Sequence, residues 1–282
     1  MARDVLTAKL DIIFKKFFSE NKDMLKDFLS GVLEIPIESI DEIVIKNNEL
    51  PPENFDGKLS RLDLSLSVDD KLINVEVQVN NDSTFRDRSM FYWSKLFTSE
   101  LESGEDYSKL KPTITINIMN YIMFPERSDY HAEIVNVFRD TGDMFYDKFR
   151  IHFFELKKLG RRFNANDRRE LWMQFINADS EEEFDMIAKT NDPVMKKAVR
   201  IIYDMSEDTR VRELARMREK AIRDDASLRA QERAAGLAAG LVKGRAEGRE
   251  EGRAEERDLL IKKMKASGYS DDEINKLLSV KL

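Results

Sequence analysis

Two carboxylates and one amide, those of Asp63, Glu76 and Gln78, lie in neighbouring segments that alternate between polar and apolar residues. In residues 61–68, Asp63 falls on the polar face, and in residues 73–80, Glu76 and Gln78 fall on the polar face. An alternation with a period of two is typical of β-strands that have one buried face. The three side chains are therefore predicted to project from two strands.

The connection between the two predicted strands is Asp69-Asp70, and its length indicates a tight β-hairpin. One register keeps the two apolar faces together, and a slip of one residue would separate them. The predicted pairs are Val68 with Lys71, Leu66 with Ile73, and Leu64 with Val75. This register sets Asp63 directly opposite Glu76, with their Cβ atoms about 4.5–5.5 Å apart. Gln78 follows on the same face.

Carboxylates that oppose each other on adjacent strands destabilise a sheet unless something neutralises them. A divalent cation held by Asp63 and Glu76 is one solution, and oxygen ligands suit Mg²⁺ or Mn²⁺. Ion pairing is the alternative, for which the sequence offers Arg61, Arg86 and Arg88. A solvated strand face that carries acids only for solubility is a third interpretation. The spacing leaves all three open.

The composition restricts any metal site to oxygen ligands. The 282 residues include no cysteine and two histidines, His131 and His152, which we interpret as structural or surface residues. The net charge of −7 argues against a globally basic nucleic-acid-binding protein but permits a local basic groove. The sequence has no apolar run of about 18 residues that would predict a membrane helix. The N-terminus also lacks a signal-peptide pattern, so we expect a cytoplasmic protein without membrane contact.

The spacing of apolar residues predicts a mixed core followed by helices. Residues 5–33 predict two helices, because apolar side chains recur three and four positions apart. Further predicted elements are strands at 40–45, 113–118 and 149–156, and a helix at 85–101. Strands flanked by helices in this way indicate an α/β or α+β core. Helices dominate from about residue 166 onwards.

Four segments are predicted along the chain. They are a domain at 1–160, a helical extension at 161–206, a charged arm at 207–257 and a small helical segment at 258–282. In the arm, glycine recurs at every fourth position from Gly236 to Gly252. Each glycine costs a helix about 1 kcal/mol relative to alanine, which favours close helix approach or a semi-flexible linker. Residues 258–282 have too few apolar side chains to be stable alone, so we expect homo-oligomerisation through 207–282.

The chain resembles the recombination-promoting nuclease (Rpn) family of PD-(D/E)XK nuclease family transposases over essentially its whole length. The matching pieces, in order, are Asp11-Ile12-Ile13-Phe14-Lys15 with Phe18, Asp63, Val75-Glu76-Val77-Gln78, Arg88 with Tyr92, Gly104-Glu105-Asp106-Tyr107, Pro112 with Ile114–Ile118, and the glycine-rich tail. Their order and spacing carry the resemblance, whereas the short motif D…E-x-Q occurs often by chance.

The resemblance implies an α/β fold with a restriction-endonuclease-like core, in which helices flank a mixed sheet, and a long helical C-terminal extension. It also implies Mg²⁺- or Mn²⁺-dependent endonucleolytic cleavage of DNA, with Asp63 and Glu76 as metal ligands. In the general signature of PD-(D/E)XK nucleases, a lysine normally occupies the position of Gln78. An amide can orient water but brings no charge. Gln78 therefore keeps an alternative open, a catalytically weak or inactive DNA-binding or regulatory protein that oligomerises through its C-terminal arm.

Four further residues are candidates for supporting roles. Lys15 could supply the missing charge and Asp11 an outer acid, but a surface pair at i, i+4 spacing is an equal alternative. Arg88 and Arg86 could contact DNA phosphates, and Arg88 could instead pair with the acids of the site. The sequence has no nucleotide-binding or serine-hydrolase motif. The prediction is thus a DNA endonuclease linked to recombination, transposition or defence against foreign DNA.

Overall fold

The strands of the molecule form one large mixed sheet and one small sheet. The computed structural model describes residues 5–46, 49–50, 60–61 and 64–278. In chain order, the strands are β1 (Ile43–Ile45), β2 (Glu49–Leu50), β3 (Ser60–Arg61), β4 (Leu64–Val68), β5 (Lys71–Gln78), β6 (Thr113–Met119), β7 (His131–Val137) and β8 (Met144–Glu155). The large sheet has the order β1-β4-β5-β6-β8-β7, and β2 pairs with β3. The β5–β6 and β6–β8 pairs are parallel, and the others are antiparallel.

Helices cover both faces of the large sheet. In chain order, they are α1 (Asp11–Glu20), α2 (Lys22–Leu33), α3 (Phe85–Thr98), α4 (Arg168–Asn177), α5 (Glu181–Ala188), α6 (Pro193–Glu207), α7 (Thr209–Ala266) and α8 (Asp271–Leu278). Helices α1, α2 and α4 to α6 share one apolar cluster with β4, β5 and β6, and α3 packs on the other face. Among the described helices, none combines the length and the apolar character needed to cross a membrane. The predicted α/β fold with a long helical C-terminal extension is confirmed.

The β4–β5 hairpin has the predicted register. Its Cα partners include Leu64 with Val75, Leu66 with Ile73, and Val68 with Lys71. Asp69 adopts a left-handed backbone with φ of 53° at the turn, as tight hairpin turns require. Its Oδ1 accepts hydrogen bonds from the backbone N–H groups of Asp41 and Glu42, at 3.1 and 3.0 Å. The turn is therefore anchored to the preceding loop, which fixes the register of the strand that carries Glu76.

The core beneath α1, α2 and α4 is built from fully buried aromatic side chains. Phe17 and Phe18 of α1 pack with Trp172 of α4, and Phe18 also contacts Phe28 of α2. The indole Nε1 of Trp172 donates a hydrogen bond to Oδ1 of Asp27 at 2.8 Å. Because this bond satisfies the single polar atom of the indole, the three helices pack without leaving it unpaired.

The β7–β8 hairpin differs from the prediction. No strand was predicted at β7, and β8 begins at Met144 rather than at Phe149. β7 lies at an edge of the sheet, and most of its side chains are exposed or half-buried. It therefore lacks the alternation that identifies a strand with one buried face, and its formation depends on pairing with β8.

The two histidines of the chain lie side by side on this hairpin. Nε2 of His131 is 3.0 Å from Nδ1 of His152, and both rings stack with that of Phe154. Burial, followed by the charges of Arg169 and Arg127, lowers the pKa of His131 to about 4. Burial and the neighbouring His131 lower the pKa of His152 to about 3. Both rings are therefore neutral in the folded protein at pH 7 and serve a structural role.

The chain divides into two compact units, residues 1–222 and 223–282. The first turns of α7 belong to the first unit, where Val211 and Ala215 are 4% and 2% exposed and join the core cluster. In the second unit, α8 begins with a reciprocal cap. The backbone N–H of Ser270 donates to Oε2 of Glu273 at 2.9 Å, and the N–H of Glu273 donates to Oγ of Ser270.

Shortened proteins that end on either side of this boundary should differ in stability. A chain ending at residue 206 should have a free energy of unfolding at least about 2 kcal/mol below that of a chain ending at 222, because it lacks Val211 and Ala215. Chemical denaturation measures both, and equal values would contradict the contribution of α7 to the core.

Light scattering on the chain ending at 222 tests whether the arm mediates self-association. A smaller oligomer than that of the full chain is expected if residues 223–282 mediate assembly.

The histidine pair should make the protein acid-sensitive. Unfolded histidines have a pKa of about 6.5, whereas the folded values are about 4 and 3. As pH falls below about 6.5, the unfolded state binds protons that the folded state excludes, so stability decreases towards pH 4. In His131→Phe, which keeps the stacking on Phe154, the stability should fall less steeply between pH 6.5 and 5, by up to about 1.4 kcal/mol per pH unit. Denaturation at several pH values measures both slopes, and identical slopes would contradict this account.

Candidate functional site

Strand β5 carries both described residues of the predicted motif. Val75 and Val77 belong to the core cluster, so the alternation of the strand turns Glu76 and Gln78 to the opposite face. Glu76 is 7% exposed, whereas Gln78, at the carboxyl end of β5, is half-buried. Asp63 lies outside the described residues, and its position opposite Glu76 stays a prediction.

Glu76 belongs to a polar strip, which we define as Asn74, Glu76, Thr115 and Asn117. Nδ2 of Asn74 donates a hydrogen bond to Oε1 of Glu76 at 3.2 Å. The parallel register of β5 and β6 pairs Asn74 with Thr115 and Glu76 with Asn117. All four residues are buried, so the strip is a block of polar groups inside the protein, between the sheet and α3.

Three oxygen atoms of the polar strip have no hydrogen-bond partner within the described part of the chain. They are Oδ1 of Asn74, Oγ1 of Thr115 and Oδ1 of Asn117. Nδ2 of Asn117 donates to Oγ of Ser89 on α3, at 2.9 Å, and to the carbonyl oxygen of His152, at 3.2 Å. Buried polar atoms are usually hydrogen-bonded. Unpartnered acceptors beside a buried carboxylate therefore fit a bound cation or ordered water.

The side chains of the strip suit a hard divalent cation. Among the described residues there is no group of three His, Cys, Asp or Glu side chains that could hold a metal. Glu76 provides one carboxylate, and the amide oxygens of Asn74 and Asn117 are of the type that Mg²⁺ and Mn²⁺ accept. A metal site here requires a further carboxylate, which is the role predicted for Asp63.

The amide of Gln78 is held in one orientation by two neighbours. Its Oε1 accepts a hydrogen bond from Nη2 of Arg88 at 2.8 Å, and its Nε2 donates to the carbonyl oxygen of Asn80 at 2.9 Å. The reversed amide would place its NH₂ group against the guanidinium and its oxygen against a carbonyl. Both contacts would be repulsive, so the hydrogen-bond network itself decides the orientation.

Arg88 is engaged inside the protein. Its Nη1 lies 3.0 Å from Oδ2 of Asp82, and its guanidinium carbon lies 4.8 Å from the centre of the Phe85 ring. Oδ1 of Asp82 accepts hydrogen bonds from the backbone N–H and the hydroxyl of Thr84, at 2.9 and 2.7 Å. The carboxylate that holds Arg88 thus also orders the start of α3. Gln78, Arg88 and Asp82 form a continuous chain of contacts.

Tyr121, which lies near Arg88, stays protonated and does not act as a counterion for the guanidinium. Tyr121 is buried close to Arg88 and Asp82, and burial raises the pKa of its hydroxyl, against the opposing effect of the Arg88 charge. The phenol therefore stays neutral at physiological pH. The guanidinium is balanced by Asp82 and not by a phenolate.

The other predicted site residues are not grouped with Glu76 in the described part of the chain. Asp11 pairs with Arg218 of α7, whose Nε lies 2.7 Å from Oδ1 of Asp11, and does not pair with Lys15, which is exposed. Both lie on α1, which packs against the apolar face of β5 and not the face that carries Glu76. Arg86 is exposed and donates a hydrogen bond to a backbone carbonyl at 3.0 Å.

The sequence interpretation predicted a strand at residues 113–118 but assigned no role to the polar residues of β6. The run Thr113-Ile-Thr-Ile-Asn117-Ile alternates as strictly as the segment that contains Glu76. The signal was therefore present, but it acquires meaning only when β6 is known to lie parallel and adjacent to β5. Asp82 carried no comparable signal, because a loop aspartate is common in any sequence.

A comparison with known families gives one result for this chain. The sequence model of the family described as PD-(D/E)XK nuclease family transposase matches residues 8–232. This span contains the hairpin, the polar strip and the first turns of α7. No curated protein and no solved structure matches the chain. The mixed six-stranded sheet flanked by helices is consistent with the restriction-endonuclease-like fold.

Replacement of Asp82 should destabilise the turn that joins β5 to α3. Asp82→Ala removes the acceptor for Thr84 and the counterion of Arg88, so the free energy of unfolding should decrease by about 1–2 kcal/mol. Chemical denaturation measures the loss. Asp129→Ala, which replaces an exposed aspartate in a loop, is the matched control and should change stability by less than about 0.5 kcal/mol. Equal effects of the two replacements would contradict this role.

Proposed function

The chain belongs to the PD-(D/E)XK nuclease family transposases, and from this premise we propose that it is a metal-dependent DNA endonuclease. The proposed cofactor is Mg²⁺ or Mn²⁺, and the proposed substrate is the phosphodiester backbone of DNA. The proposed biological setting is recombination, transposition or defence against foreign DNA, in the cytoplasm.

The observation that carries this proposal is the buried carboxylate of Glu76 on the polar strip. A buried carboxylate is costly unless it is paired or binds a metal. Here its immediate surroundings hold amide and hydroxyl oxygens without partners among the described residues. A bound divalent cation accounts for both features, because it needs oxygen ligands and offsets negative charge.

The proposed roles divide between the two sides of the site. Glu76, together with Asp63, holds the cation. The amide of Asn74 fixes the position of Glu76, and Asn117 completes its oxygen-rich surroundings. When bound, the cation lowers the pKa of water and stabilises the charge that develops on the phosphate. Gln78, next along the same face, orients the attacking water or a phosphate oxygen through its amide N–H.

One observation favours a second candidate function. Gln78 occupies the position at which the general PD-(D/E)XK signature has a lysine, and an amide cannot supply the positive charge of an ammonium group. The second candidate is therefore a catalytically weak or inactive DNA-binding or regulatory protein that assembles through residues 207–282. It would bind DNA without cleaving it.

Supercoiled plasmid separates the two functions. The full chain should nick it in the presence of Mg²⁺ or Mn²⁺ and should not do so after addition of a chelator. Asp63→Ala and Glu76→Gln should each lower the rate by at least about 100-fold, as expected for loss of a group that stabilises transition-state charge. Glu76→Gln keeps an acceptor for Asn74 and removes a buried negative charge, so it should melt no lower than the unmodified protein.

The matched control is Glu182→Gln, which makes the same chemical change at an exposed position on α5 and should leave nicking unchanged. Equal loss in the control would point to a general effect of charge. Binding of plasmid without metal-dependent nicking would support the DNA-binding alternative. Nicking by the Asp63→Ala and Glu76→Gln proteins at the unmodified rate would refute the proposed site.

A further inference from the structure

Gln78 has a restricted amide whose free hydrogen-bonding capacity can be stated atom by atom. Oε1 is bound by Nη2 of Arg88, and one N–H of Nε2 is bound by the carbonyl oxygen of Asn80. The second N–H of Nε2 is engaged by no described residue. Gln78 can therefore offer a ligand one amide N–H as a donor, beside the second lone pair of Oε1.

We propose that Arg88 is a positioning residue that fixes and polarises the Gln78 amide, so that its free N–H acts as the donor that the lysine of the general PD-(D/E)XK signature provides. This inference rests on the proposed function. It assigns Arg88 a role through Gln78, in place of a direct contact with DNA phosphate.

The geometry restrains Arg88 on several sides. Asp82 binds its Nη1 and the Phe85 ring lies under the guanidinium, whereas its Nε is buried without a hydrogen-bond partner among the described residues. The Arg88 side chain is 28% exposed and that of Asp82 is 11% exposed, so solvent competes little for these contacts. A side chain restrained in this way holds its hydrogen-bond partner with little loss of entropy during the reaction.

Polarisation follows from the same contact. A charged donor strengthens a hydrogen bond to an amide oxygen, and in a chain of hydrogen bonds each bond polarises the next. Withdrawal of electron density towards Oε1 makes the N–H of Nε2 a stronger donor. The guanidinium thus increases the partial positive charge of the free N–H through the amide, although Arg88 itself forms an ion pair with Asp82.

The same arrangement explains why glutamine suits this position. A lysine ammonium at position 78 would lie beside the guanidinium of Arg88, whose charge is paired with that of Asp82. Two like charges at that distance repel each other. The amide, in contrast, presents an acceptor to Arg88 and a donor to the site. The effect of replacing Arg88 on kcat is therefore expected to depend on the residue at position 78, with opposite signs for glutamine and lysine.

The first experiment measures plasmid nicking by the full chain and its Arg88→Gln, Gln78→Lys and doubly substituted forms. Arg88→Gln alone should lower kcat by about 10- to 100-fold with little change in KM, because the amide loses its fixed orientation. In the Gln78→Lys protein, the same Arg88→Gln change should raise kcat, because it removes the repulsion. Arg88→Lys should recover part of the loss, since an ammonium still donates to Oε1.

Lys95→Gln is the matched control, because it removes one positive charge from the same helix at a position where the ammonium lies over Phe91. It should leave kcat unchanged. Thermal melting of each form shows whether it is folded, and Arg88→Lys takes the place of Arg88→Gln if the latter does not fold. Loss of activity from Arg88→Gln in both backgrounds by the same factor would overturn the coupling, as would an unchanged kcat.

The second experiment needs neither metal nor DNA. The side-chain NH₂ signals of Gln78 in ¹⁵N-labelled full chain are identified by their absence in Gln78→Glu. Two well-separated proton signals are expected, and Arg88→Gln should shift them and accelerate their exchange with water, whereas Lys95→Gln should not. Unchanged signals in Arg88→Gln would overturn the inference. If the unmodified protein cleaves no DNA, the proposed function fails, and this experiment still decides whether Arg88 orients the amide.

Discussion

The parallel pairing of β5 with β6 determines which side chains share the buried polar strip, and the rest of the site depends on it. This register sets Glu76 beside Asn117 and Asn74 beside Thr115. A shift by one residue would turn the isoleucines of β6 towards the carboxylate and its amides into the apolar core. Parallel strands also require a crossover connection, and here α3 belongs to that connection. The crossover brings Ser89 over the strip and Arg88 to the carboxyl end of β5.

The two faces of the sheet have opposite energetic roles. On one face, the aromatic side chains of α1, α2 and α4 are buried without solvent contact, and their burial stabilises the fold. On the other face, buried amides and hydroxyls with unpartnered oxygens reduce stability. Proteins retain such costs mainly at functional positions. The imbalance between the faces is therefore a physical reason, independent of family membership, to propose the polar strip as the functional site.

The start of α7 connects the core to the loop that follows β5. Arg218 pairs with Asp11 of α1, and Nδ2 of Asn80 lies 3.4 Å from the carbonyl oxygen of Ile222. The carbonyl oxygen of the same Asn80 accepts the Gln78 amide. The first turns of α7 thus stabilise the backbone on which Gln78 depends.

The sequence by itself determined the elements with strong local periodicity. The hairpin register, both N-terminal helices and the strand at β6 follow from alternation, helical spacing and turn residues, and each was predicted from these signals. The edge strand β7, the Arg88 contacts with Gln78 and Asp82, and the pairing of Asp11 with Arg218 were decided only by the tertiary structure. These contacts join residues of different elements, or side chains with several possible partners. No local pattern distinguishes between such partners, because the choice depends on which surfaces the packed core brings together.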